Sequence, residues 1–399
     1  MEYTEKYSKK RYRAEKLKLQ ITIILRSIEK KLDWLPICKN YVCYVTATHH
    51  YYSDNMYYVI QALKKHDIGD MNLFWVTKYP KYAENAVVDN VKVIKYKSIK
   101  HFIIQFFSKI IISDDYLYHG LIIRKKQIYI NVWHGGINYK GVGEKGIYFS
   151  DDIQRKRYKL ANPEPDYMVA GCEAFIKYIQ KAFGYWNTTF IRCGLPRNDI
   201  FFSDYNQTNK KVKKKMGCDG KKILCYMPTF RKDKMSIISN LFNYKDVLQA
   251  LNENTGQEWM FVFRSHYYDH GVYSDYFKNV IDATEYENVS ELLCATDILI
   301  SDYSSCMWDF GLTQKLCISY VPDSKQFVEN DRGLTEQGFD MPFPKASNTK
   351  ELIDVILNLD IDGYKEKIIE HKMKVESYET GNASELVSRL ILSKLRMEK

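Results

Sequence analysis

The sequence predicts an α/β protein with two Rossmann-like domains, each built on an open, doubly wound parallel sheet. Short β-branched and aromatic runs alternate with segments of helical periodicity, which is the pattern of parallel βαβ units. At 399 residues the chain is longer than one hydrophobic core ordinarily organises. A polar, Lys-rich stretch at 203–222 divides the predicted strands into two sets. We therefore expect an N-terminal domain at 36–204 and a C-terminal domain at 205–380.

Each predicted domain has its own set of strands. The first set consists of Tyr41–Ala47, Asn72–Val76, Val91–Tyr96, Ile110–Ser113, Ile128–Trp133 and Tyr167–Ala170. The second set consists of Ile223–Met227, Trp259–Arg264, Ile298–Ser301 and Leu316–Tyr320. Helical periodicity appears between strands at Asn55–Lys64, Tyr244–Glu253 and Val289–Ala295. A last helix, Asn382–Lys394 in the segment 381–399, is a candidate for packing back on the first domain.

Residues 1–35 are predicted to form a basic amphipathic helix. Residues 1–40 carry eleven Lys/Arg against five Asp/Glu, in a chain whose net charge is +10. Apolar side chains recur there at helical spacing, at Leu17, Ile21, Ile24, Ile28, Leu32 and Leu35. Such a helix can bind an anionic membrane surface, where each cation contributes about 1 kcal/mol. The alternative is a helix packed on the body with a solvated basic face. Nucleic acid is not expected as a partner, because no recognisable binding module accompanies the charge.

Several classes of protein are disfavoured by the composition. Nine cysteines occur singly, without CxxC pairs or metal-ligand spacing, which is typical of reduced thiols in a cytosolic protein. No apolar run approaches the about 20 residues of a membrane-spanning helix, and no secretory signal is recognisable, so we expect a protein retained inside the cell. No Walker-type loop is present, and the one GxGxxG string, 141–146, does not directly follow a predicted strand, so a P-loop ATPase and an NAD enzyme are both unsupported.

The end of one strand in the first domain carries a candidate catalytic base. Trp133-His134-Gly135-Gly136 directly follows the strand, and ligands of parallel sheets bind beyond the carboxyl ends of strands. Two glycines allow the backbone to approach a ligand closely, and histidine is suited to general-base work near neutral pH. The alternative is a histidine at the edge of the core before a glycine turn.

Two strand ends in the second domain carry candidate phosphate ligands. Pro228-Thr229-Phe230-Arg231 offers a hydroxyl, backbone amides and a cation, although a Pro-terminated strand with a surface Arg explains it equally well. Arg264-Ser265-His266 offers a guanidinium that can bind phosphate oxygens with two parallel hydrogen bonds, beside a second imidazole. The alternative there is an ion-paired Arg and a surface His.

A third strand end in that domain opens a helix. In Ser301-Asp302-Tyr303-Ser304-Ser305, consecutive serines precede an amphipathic segment through Met307 and Phe310. Hydroxyls and backbone N–H groups at a helix N-terminus form a phosphate site. Simple capping of the helix by Ser304 or Asp302 is the alternative. Each motif is a modest signal, but together they place two His, two Arg and two Ser where two domains would converge on a diphosphate.

These motifs resemble those of the CDP-glycerol glycerophosphotransferase family, which includes the primases and polymerases of wall teichoic acid. The resemblance runs from about Val132 to the C-terminus. The matching segments are 133–135, Gly194-Leu195-Pro196-Arg197-Asn198-Asp199, 228–231, 264–266, 301–305 with Asp309, Asp331-Arg332-Gly333, and Gly381-Asn382-Ala383-Ser384.

The resemblance implies a GT-B-like fold, in which two Rossmann-like domains face each other across a cleft. It implies that His134 is the base that deprotonates the acceptor, and that His266 with Arg264 stabilises the diphosphate and the leaving CMP. Ser304 and Ser305 would bind phosphate. The remaining substrate-binding positions would be Trp133, Gly135, Gly136, Ile137, Arg197, Pro228, Thr229, Ser265 and Asp309.

The function implied is transfer of glycerol phosphate from CDP-glycerol to a hydroxyl on a lipid-linked saccharide or growing polymer, with release of CMP. The family's association with membranes agrees with the charge of residues 1–35, so we expect a peripheral protein on the cytoplasmic side of the cell membrane. No cofactor and no metal are expected. The one DxD string, Asp360-Ile361-Asp362, does not follow a strand and is interpreted as a turn.

One segment departs from the usual sequence of the family, and this departure keeps alternative functions open. The family usually has Thr-Pro after Trp-His-Gly, whereas Gly136-Ile137 stand here. A ribitol-phosphate transferase that uses CDP-ribitol therefore remains an alternative. So does a sugar-nucleotide glycosyltransferase, because architecture alone does not distinguish a sugar from a polyol phosphate. The non-enzymatic alternative is a basic scaffold on the membrane surface.

Overall fold

Two separate parallel sheets organise the chain. The computed structural model describes residues 9–46, 50–143, 151–229, 241–265, 276, 280–330 and 333–396. The chain divides into two compact units. The first unit comprises 1–134, 142–199 and 378–399, and the second comprises 135–141 and 200–377.

The first unit contains a seven-stranded sheet in the order β3-β2-β1-β4-β5-β6-β7, with every pairing parallel. Its strands are β1 (Cys38–Thr46), β2 (Asn72–Thr77), β3 (Lys92–Lys95), β4 (Ser108–Ser113), β5 (Ile128–Asn131), β6 (Tyr167–Ala170) and β7 (Thr189–Arg192). The strand order reverses between β1 and β4, and such a switch point is where doubly wound sheets bind ligands.

Helices cover the first sheet, as expected for βαβ connections. They are α1 (Lys9–Lys31), α2 (Asp54–Leu63), α3 (Glu84–Val88), α4 (Ile99–Phe107), α5 (Asp152–Ala161) and α6 (Glu173–Phe183). One core layer packs Met56 and Val59 of α2 with Trp75 and Ile130 of the sheet. Full burial of each such side chain contributes about 1.5–3 kcal/mol.

The second unit contains a six-stranded parallel sheet in the order β10-β9-β8-β11-β12-β13, with its switch point between β8 and β11. Its strands are β8 (Lys222–Tyr226), β9 (Trp259–Phe263), β10 (Ile281–Asp282), β11 (Ile298–Ser301), β12 (Cys317–Tyr320) and β13 (Lys345–Ala346). Its helices are α7 (Asn206–Lys215), α8 (Tyr244–Thr255), α9 (Val289–Ala295), α10 (Cys306–Gly311), α11 (Ser324–Asn330), α12 (Glu336–Phe339), α13 (Thr349–Asn358) and α14 (Ile361–Lys374).

The last helix, α15 (Ala383–Arg396), returns to the first unit and packs on α2. Val387 and Ile391 are completely buried in the core of that unit. The Ser388 hydroxyl donates to the Val59 carbonyl at 3.2 Å, which ties the two helices together.

Two segments have a different structure from the one their composition predicts. The Lys-rich stretch at 203–222, expected as a joint, contains α7, whose Val212 is buried while Lys213 pairs with Asp297 at 3.0 Å. Segment 360–362, interpreted as a turn, begins α14, because the Asp360 carboxylate accepts hydrogen bonds from the backbone of Asp362 and Gly363. The first difference depends on a partner distant in sequence, whereas the second depends on local capping by Asp360.

Helix α1 presents polar groups to the rest of the first unit and an apolar stripe to solvent. Glu15 pairs with Arg157 at 2.5 Å, Arg26 donates to the His119 carbonyl at 3.0 Å, and Glu29 accepts from the backbone of Ile122. The opposite stripe leaves its apolar side chains about half exposed: Leu17 59%, Ile21 48%, Ile24 59% and Ile28 49%. No helix in the described part of the chain combines the length and hydropathy of a membrane-spanning segment.

Candidate active site

Three of the predicted strand-end motifs lie side by side in the second unit. Tyr226 of β8 pairs with Phe263 of β9 and with Ile300 of β11, so the three strands end in register. The segments after these strands, 228–229, 264–265 and 302–305, therefore lie at one edge of the sheet, around its switch point. Phe230, Arg231 and His266 lie outside the described residues, so their roles stay predictions.

Asp302 connects the segments that follow β8 and β11. Its carboxylate accepts from the Thr229 backbone N–H at 3.0 Å and from the Tyr303 backbone N–H at 2.6 Å. The Ser301 hydroxyl donates to the Met227 carbonyl at 2.6 Å, which adds a second link. Pro228 is buried between these links, and Thr229 is half-buried. The sequence presents Asp302 as a helix cap, whereas the structure uses it to hold Thr229.

Arg264 is anchored by the backbone that follows β10. Its Nη1 donates to the carbonyls of Ala283 and Tyr286 at 2.5 and 2.7 Å. The next residue, Ser265, donates its backbone N–H to the Thr284 hydroxyl at 3.1 Å. These contacts fix the orientation of the guanidinium group, whose planar fork has five N–H donors in all.

The start of α10 lies close to the Gly135 backbone. A Cβ atom built on Gly135 would lie 3.2 Å from the Cβ of Ser305, so only glycine fits there without displacing Ser305. The Ser304 hydroxyl accepts from the Cys306 backbone N–H at 3.3 Å, a local contact at the start of the helix. Phosphate binding by Ser304 and Ser305 stays a prediction. Helix α10 has six residues, and Asp309 is buried within it. Gly136 and Ile137, predicted as substrate contacts, are buried in the second unit, where Ile137 is 2% exposed.

In the first unit, one hydrogen bond defines the tautomer of His134. Its Nδ1 lies 3.0 Å from the backbone carbonyl oxygen of Asp114, at the end of β4. A carbonyl oxygen only accepts, so Nδ1 carries a hydrogen, and in the neutral ring the lone pair then lies on Nε2. The half-buried ring stacks on Trp133 with centroids 4.7 Å apart. In its neutral form this imidazole has the tautomer that a general base acting through Nε2 requires.

A clamp formed by Asp54, Asn55 and Arg197 holds the turn that carries His134. Arg197 pairs with Asp54 at 2.9 Å and donates from Nη2 to the His134 carbonyl at 3.0 Å. Asn55, which is completely buried, donates to the Trp133 carbonyl at 2.8 Å and accepts from the Arg197 backbone N–H at 3.0 Å. The family resemblance implies that Arg197 lines the donor site. These contacts indicate that it positions His134.

The clamp supports an unusual backbone. Trp133 has φ 52° and Asp54 has φ 61°, both in the left-handed region that non-glycine residues rarely occupy. Each such conformation costs about 1–3 kcal/mol and persists only where surrounding contacts determine it. The hydrogen bonds of Asn55 and Arg197 are the contacts that do so at the Trp133-His134 turn.

The Asp114 carboxyl lies in the interior of the first unit. Burial raises its pKa well above the ordinary value, and the neighbouring Asp54 and Asp115 raise it further. A carboxyl with a raised pKa is more readily protonated, so this interior position favours the neutral form of Asp114.

Sequence reasoning singles out neither Asp54, Asn55 nor Asp114 as a site residue. The pattern presents Asn55 only as the first residue of a predicted helix. One usable signal is that Asp54-Asn55 and Asp114 follow β1 and β4, the two strands that flank the switch point of the first sheet. Among the described residues, no cluster of three or more His, Cys, Asp or Glu side chains could hold a metal ion.

Several known proteins are similar to this chain in sequence or in fold. Over 382 residues the chain is 26% identical to the teichoic acid glycerol-phosphate transferase of Staphylococcus aureus (strain NCTC 8325 / PS 47), covering 91% of this chain and 95% of that one. It is 30% identical over 250 residues to the teichoic acid glycerol-phosphate primase of Bacillus subtilis (strain 168), covering 60% and 62%. A solved structure of the wall teichoic acid polymerase TagF, a variant soaked with CDPG, matches with a TM-score of 0.77 and 23% identity over 98% of this chain and 99% of that one.

The fold is GT-B-like, so the fold class that the family resemblance implies is confirmed. Residues 30–393 match the family model described as CDP-glycerol:poly(glycerophosphate) glycerophosphotransferase. The chain belongs to this family. The predicted family and enzyme class are thereby confirmed.

Proposed function

We propose that this protein transfers glycerol phosphate from CDP-glycerol to an acceptor hydroxyl in the synthesis of a teichoic-acid-type polymer, with His134 as the general base. The proposal follows from the family match over residues 30–393 and from the relatives that act on teichoic acid. The observation that carries the catalytic assignment is the hydrogen bond from His134 Nδ1 to the Asp114 carbonyl, because in the neutral ring it places the lone pair on Nε2.

In the proposed step, the acceptor hydroxyl donates a hydrogen bond to His134 Nε2 and attacks the β-phosphorus of CDP-glycerol. A bond forms between the acceptor oxygen and that phosphorus while the bond from the phosphorus to the bridging oxygen breaks. CMP leaves with the bridging oxygen, and the acceptor proton passes to His134. The product is a phosphodiester. Phosphoryl transfer depends mainly on positioning and charge stabilisation, to which general-base assistance adds about 10²–10⁴ in rate.

The donor phosphates are assigned to the strand-end segments of the second unit. Arg264, anchored through Nη1, supplies positive charge, and the side chains of Ser304, Ser305 and Thr229 supply hydroxyl donors. Gly135 lets the chain pass close to Ser305. We assign Pro228, Ser265 and Asp309 supporting roles in the same segments, and His266 the role of a second cationic group toward the departing CMP.

The acceptor is proposed to be lipid-linked, and α1 to bind the membrane surface. The apolar stripe of Leu17, Ile21, Ile24 and Ile28 faces solvent, while Glu15, Arg26 and Glu29 bind the rest of the first unit. The basic residues 9–13 precede this stripe. An apolar face beside a cluster of cations matches an anionic bilayer surface. We therefore place the protein peripherally on the cytoplasmic face of the membrane.

The experiment that tests the proposal is a donor panel with the purified full chain. CDP-glycerol, CDP-ribitol and a set of UDP-sugars are each incubated with a lipid-linked saccharide acceptor, and released CMP or UDP is quantified. We expect CMP release and a phosphodiester product with CDP-glycerol. Faster turnover with CDP-ribitol would instead identify the transferred polyol as ribitol. That result would agree with Gly136-Ile137, which stand where the family usually has Thr-Pro. UDP release alone would overturn the proposal. A parallel arm with EDTA tests the prediction that no metal is needed.

A further inference from the structure

Tyrosine and lysine side chains follow two neighbouring strands at the edge of the first sheet where His134 lies. Lys78-Tyr79-Pro80-Lys81-Tyr82 follows β2, and Tyr96-Lys97 follows β3. Thr46 of β1 pairs with Thr77 of β2, and Thr77 pairs with Lys95 of β3, so these strands end in register. On the other side, Val45 pairs with Ser113 of β4, and Ser113 pairs with Asn131 of β5. The carboxyl ends of β3, β2, β1, β4 and β5 therefore form one continuous edge.

Lysines from this edge lie over tyrosines from neighbouring strand ends. Lys78 Nζ is 5.5 Å from the centre of the Tyr96 ring, 5.8 Å from the Tyr116 ring and 3.4 Å from the Tyr116 hydroxyl. Lys97 Nζ is 5.1 Å from the Tyr118 ring. These contacts join the segments that follow β2, β3 and β4.

A second aromatic group continues the same surface. The His50 ring lies 3.7 Å from the Tyr79 ring, and the Tyr51 ring lies 4.7 Å from the Tyr82 ring. Lys81 is exposed, with Nζ 4.6 Å from the Tyr82 ring. His50, Tyr51, Tyr79 and Tyr82 are all half-buried, so these residues lie at the surface of the unit and not in its core.

We propose that Lys78, Tyr79, Lys81, Tyr82, Lys97 and Tyr116, together called the tyrosine–lysine row, bind the acceptor as an anionic chain of saccharide or polyol phosphate units. The proposal rests on the function proposed above and extends it to the part of the acceptor that does not react. Amphipathic tyrosines pack against the C–H faces of sugars and polyols while their hydroxyls hydrogen-bond, and ammonium groups attract phosphate. The segment 78–82 holds two cations and no acidic side chain, which suits a polyanion.

The geometry also gives the row a direction. Neighbouring strands lie about 4.8 Å apart, so the end of β3 is roughly 19 Å from the end of β5, which precedes His134. An acceptor with its reactive hydroxyl at His134 would extend past Tyr116, after β4, and then along Lys78 to Lys97. The row is therefore sized for several units beyond the reacting one, and a short acceptor would not reach it.

The test measures acceptor KM in Lys78→Ala, Lys97→Ala and the double variant of the full chain. Lys92→Ala is the matched control, because Lys92 also lies over an aromatic ring, Phe74, but is the first residue of β3, at the opposite edge of the sheet. We use three acceptors: a long oligo(glycerol phosphate), a saccharide diphosphate without that extension, and a single glycerol phosphate unit.

We expect KM for the long acceptor to rise roughly three- to tenfold for each row lysine, and this rise to shrink as salt is added. KM for CDP-glycerol, turnover with the single-unit acceptor, and the behaviour of Lys92→Ala should stay at wild-type values. If KM also rises for the saccharide diphosphate, the tyrosine–lysine row binds the saccharide part of the acceptor. If KM rises only for the oligo(glycerol phosphate), the row binds the polyol phosphate chain.

Three outcomes overturn the proposal: an unchanged KM for both the oligo(glycerol phosphate) and the saccharide diphosphate, an equal effect on the single-unit acceptor, or an effect on CDP-glycerol alone. A failure of the proposed function is distinct, because the wild-type chain would then release no CMP with any acceptor. Thermal unfolding midpoints show whether each variant is folded, and Tyr82→Leu, which keeps an apolar side chain, tests the aromatic contribution separately.

Discussion

The Asp114 carbonyl oxygen accepts a hydrogen bond from His134 Nδ1 at 3.0 Å, at the edge where β4 and β5 end. This contact sets both the position and the tautomer of the imidazole. Because a backbone carbonyl cannot titrate, it holds the neutral ring in one tautomer without adding a second acid–base group to the reaction. Variants of His134 and of the residues around it can test this assignment.

Replacing His134 should abolish most turnover while leaving donor binding intact. In His134→Ala, the loss of a general base should lower kcat by about 10²–10⁴. Binding of CDP-glycerol, measured by calorimetry, should change little, because the donor phosphates are assigned to other residues. His66→Ala is the matched control, since His66 is half-buried in the same unit and paired with Glu385. A near-normal kcat in His134→Ala would show that His134 is not the general base.

Asn55 should act as a positioning residue for His134. Asn55→Asp keeps the shape of the side chain, but a carboxylate cannot donate to the Trp133 carbonyl. The turn then loses one of the two side-chain hydrogen bonds that hold it, and the one from Arg197 to the His134 carbonyl remains. A displaced catalytic group of this kind lowers the rate by about 10²-fold. We expect kcat to fall while KM for CDP-glycerol stays near the wild-type value. A purely structural role would instead lower stability and leave kcat per folded molecule unchanged.

The close contact between Gly135 and Ser305 should matter for the donor. Gly135→Ala places a Cβ 3.2 Å from the Ser305 Cβ, so the start of α10 must shift by a few tenths of an ångström. We expect KM for CDP-glycerol to rise. Gly311→Ala in the same helix is the control, since its nearest contact would be an ordinary 3.4 Å to Phe343. Equal kinetics in the two variants would mean that Ser305 does not contact the donor.

Acid should destabilise the fold through buried histidines. Burial lowers the pKa of His371 to about 4, from an ordinary value of 6.5. Between those two values the unfolded chain binds more protons than the folded one, so the free energy of unfolding falls as pH drops from about 6.5 to 4 and levels off below. The shift corresponds to about 3 kcal/mol at most.

The corresponding variant is His371→Phe, which keeps an aromatic ring beside Tyr139 and Trp308 but does not titrate. Urea unfolding at pH 7 and pH 4.5 should show a smaller loss of stability on acidification in this variant than in the wild type. An identical loss would mean that His371 does not contribute.

The apolar stripe of α1 should be needed for membrane binding and not for chemistry. Leu17→Ser with Ile24→Ser should reduce sedimentation with anionic vesicles and leave CMP release with a soluble acceptor unchanged. Val88→Ser with Ile99→Ser is the control, because these side chains are 82% and 77% exposed elsewhere on the first unit. Equal vesicle binding in both double variants would exclude α1 as the membrane contact.

The sequence alone was sufficient for the features that depend on neighbouring residues. Tyr167–Ala170 and Ile298–Ser301 match β6 and β11 at both ends, and Val289–Ala295 matches α9, because hydrophobic runs and capping residues act over a few positions. The strand-end motifs were found for the same reason, since each is a short run after a strand. Short strands such as β10 and β13, with two residues each, carry too little pattern to be recognised.

Only the tertiary structure decided how His134 is held. Asn55 reaches Trp133 across 78 positions and Arg197 across 142, and no local pattern marks a side chain that hydrogen-bonds to so distant a backbone. The tertiary structure also places Arg197 in contact with Asp54 and the His134 carbonyl. It brings Lys78, Tyr96 and Tyr116 together at one edge of the first sheet. Composition and periodicity determine which segments become strands, but the register between strands determines which residues meet at their ends.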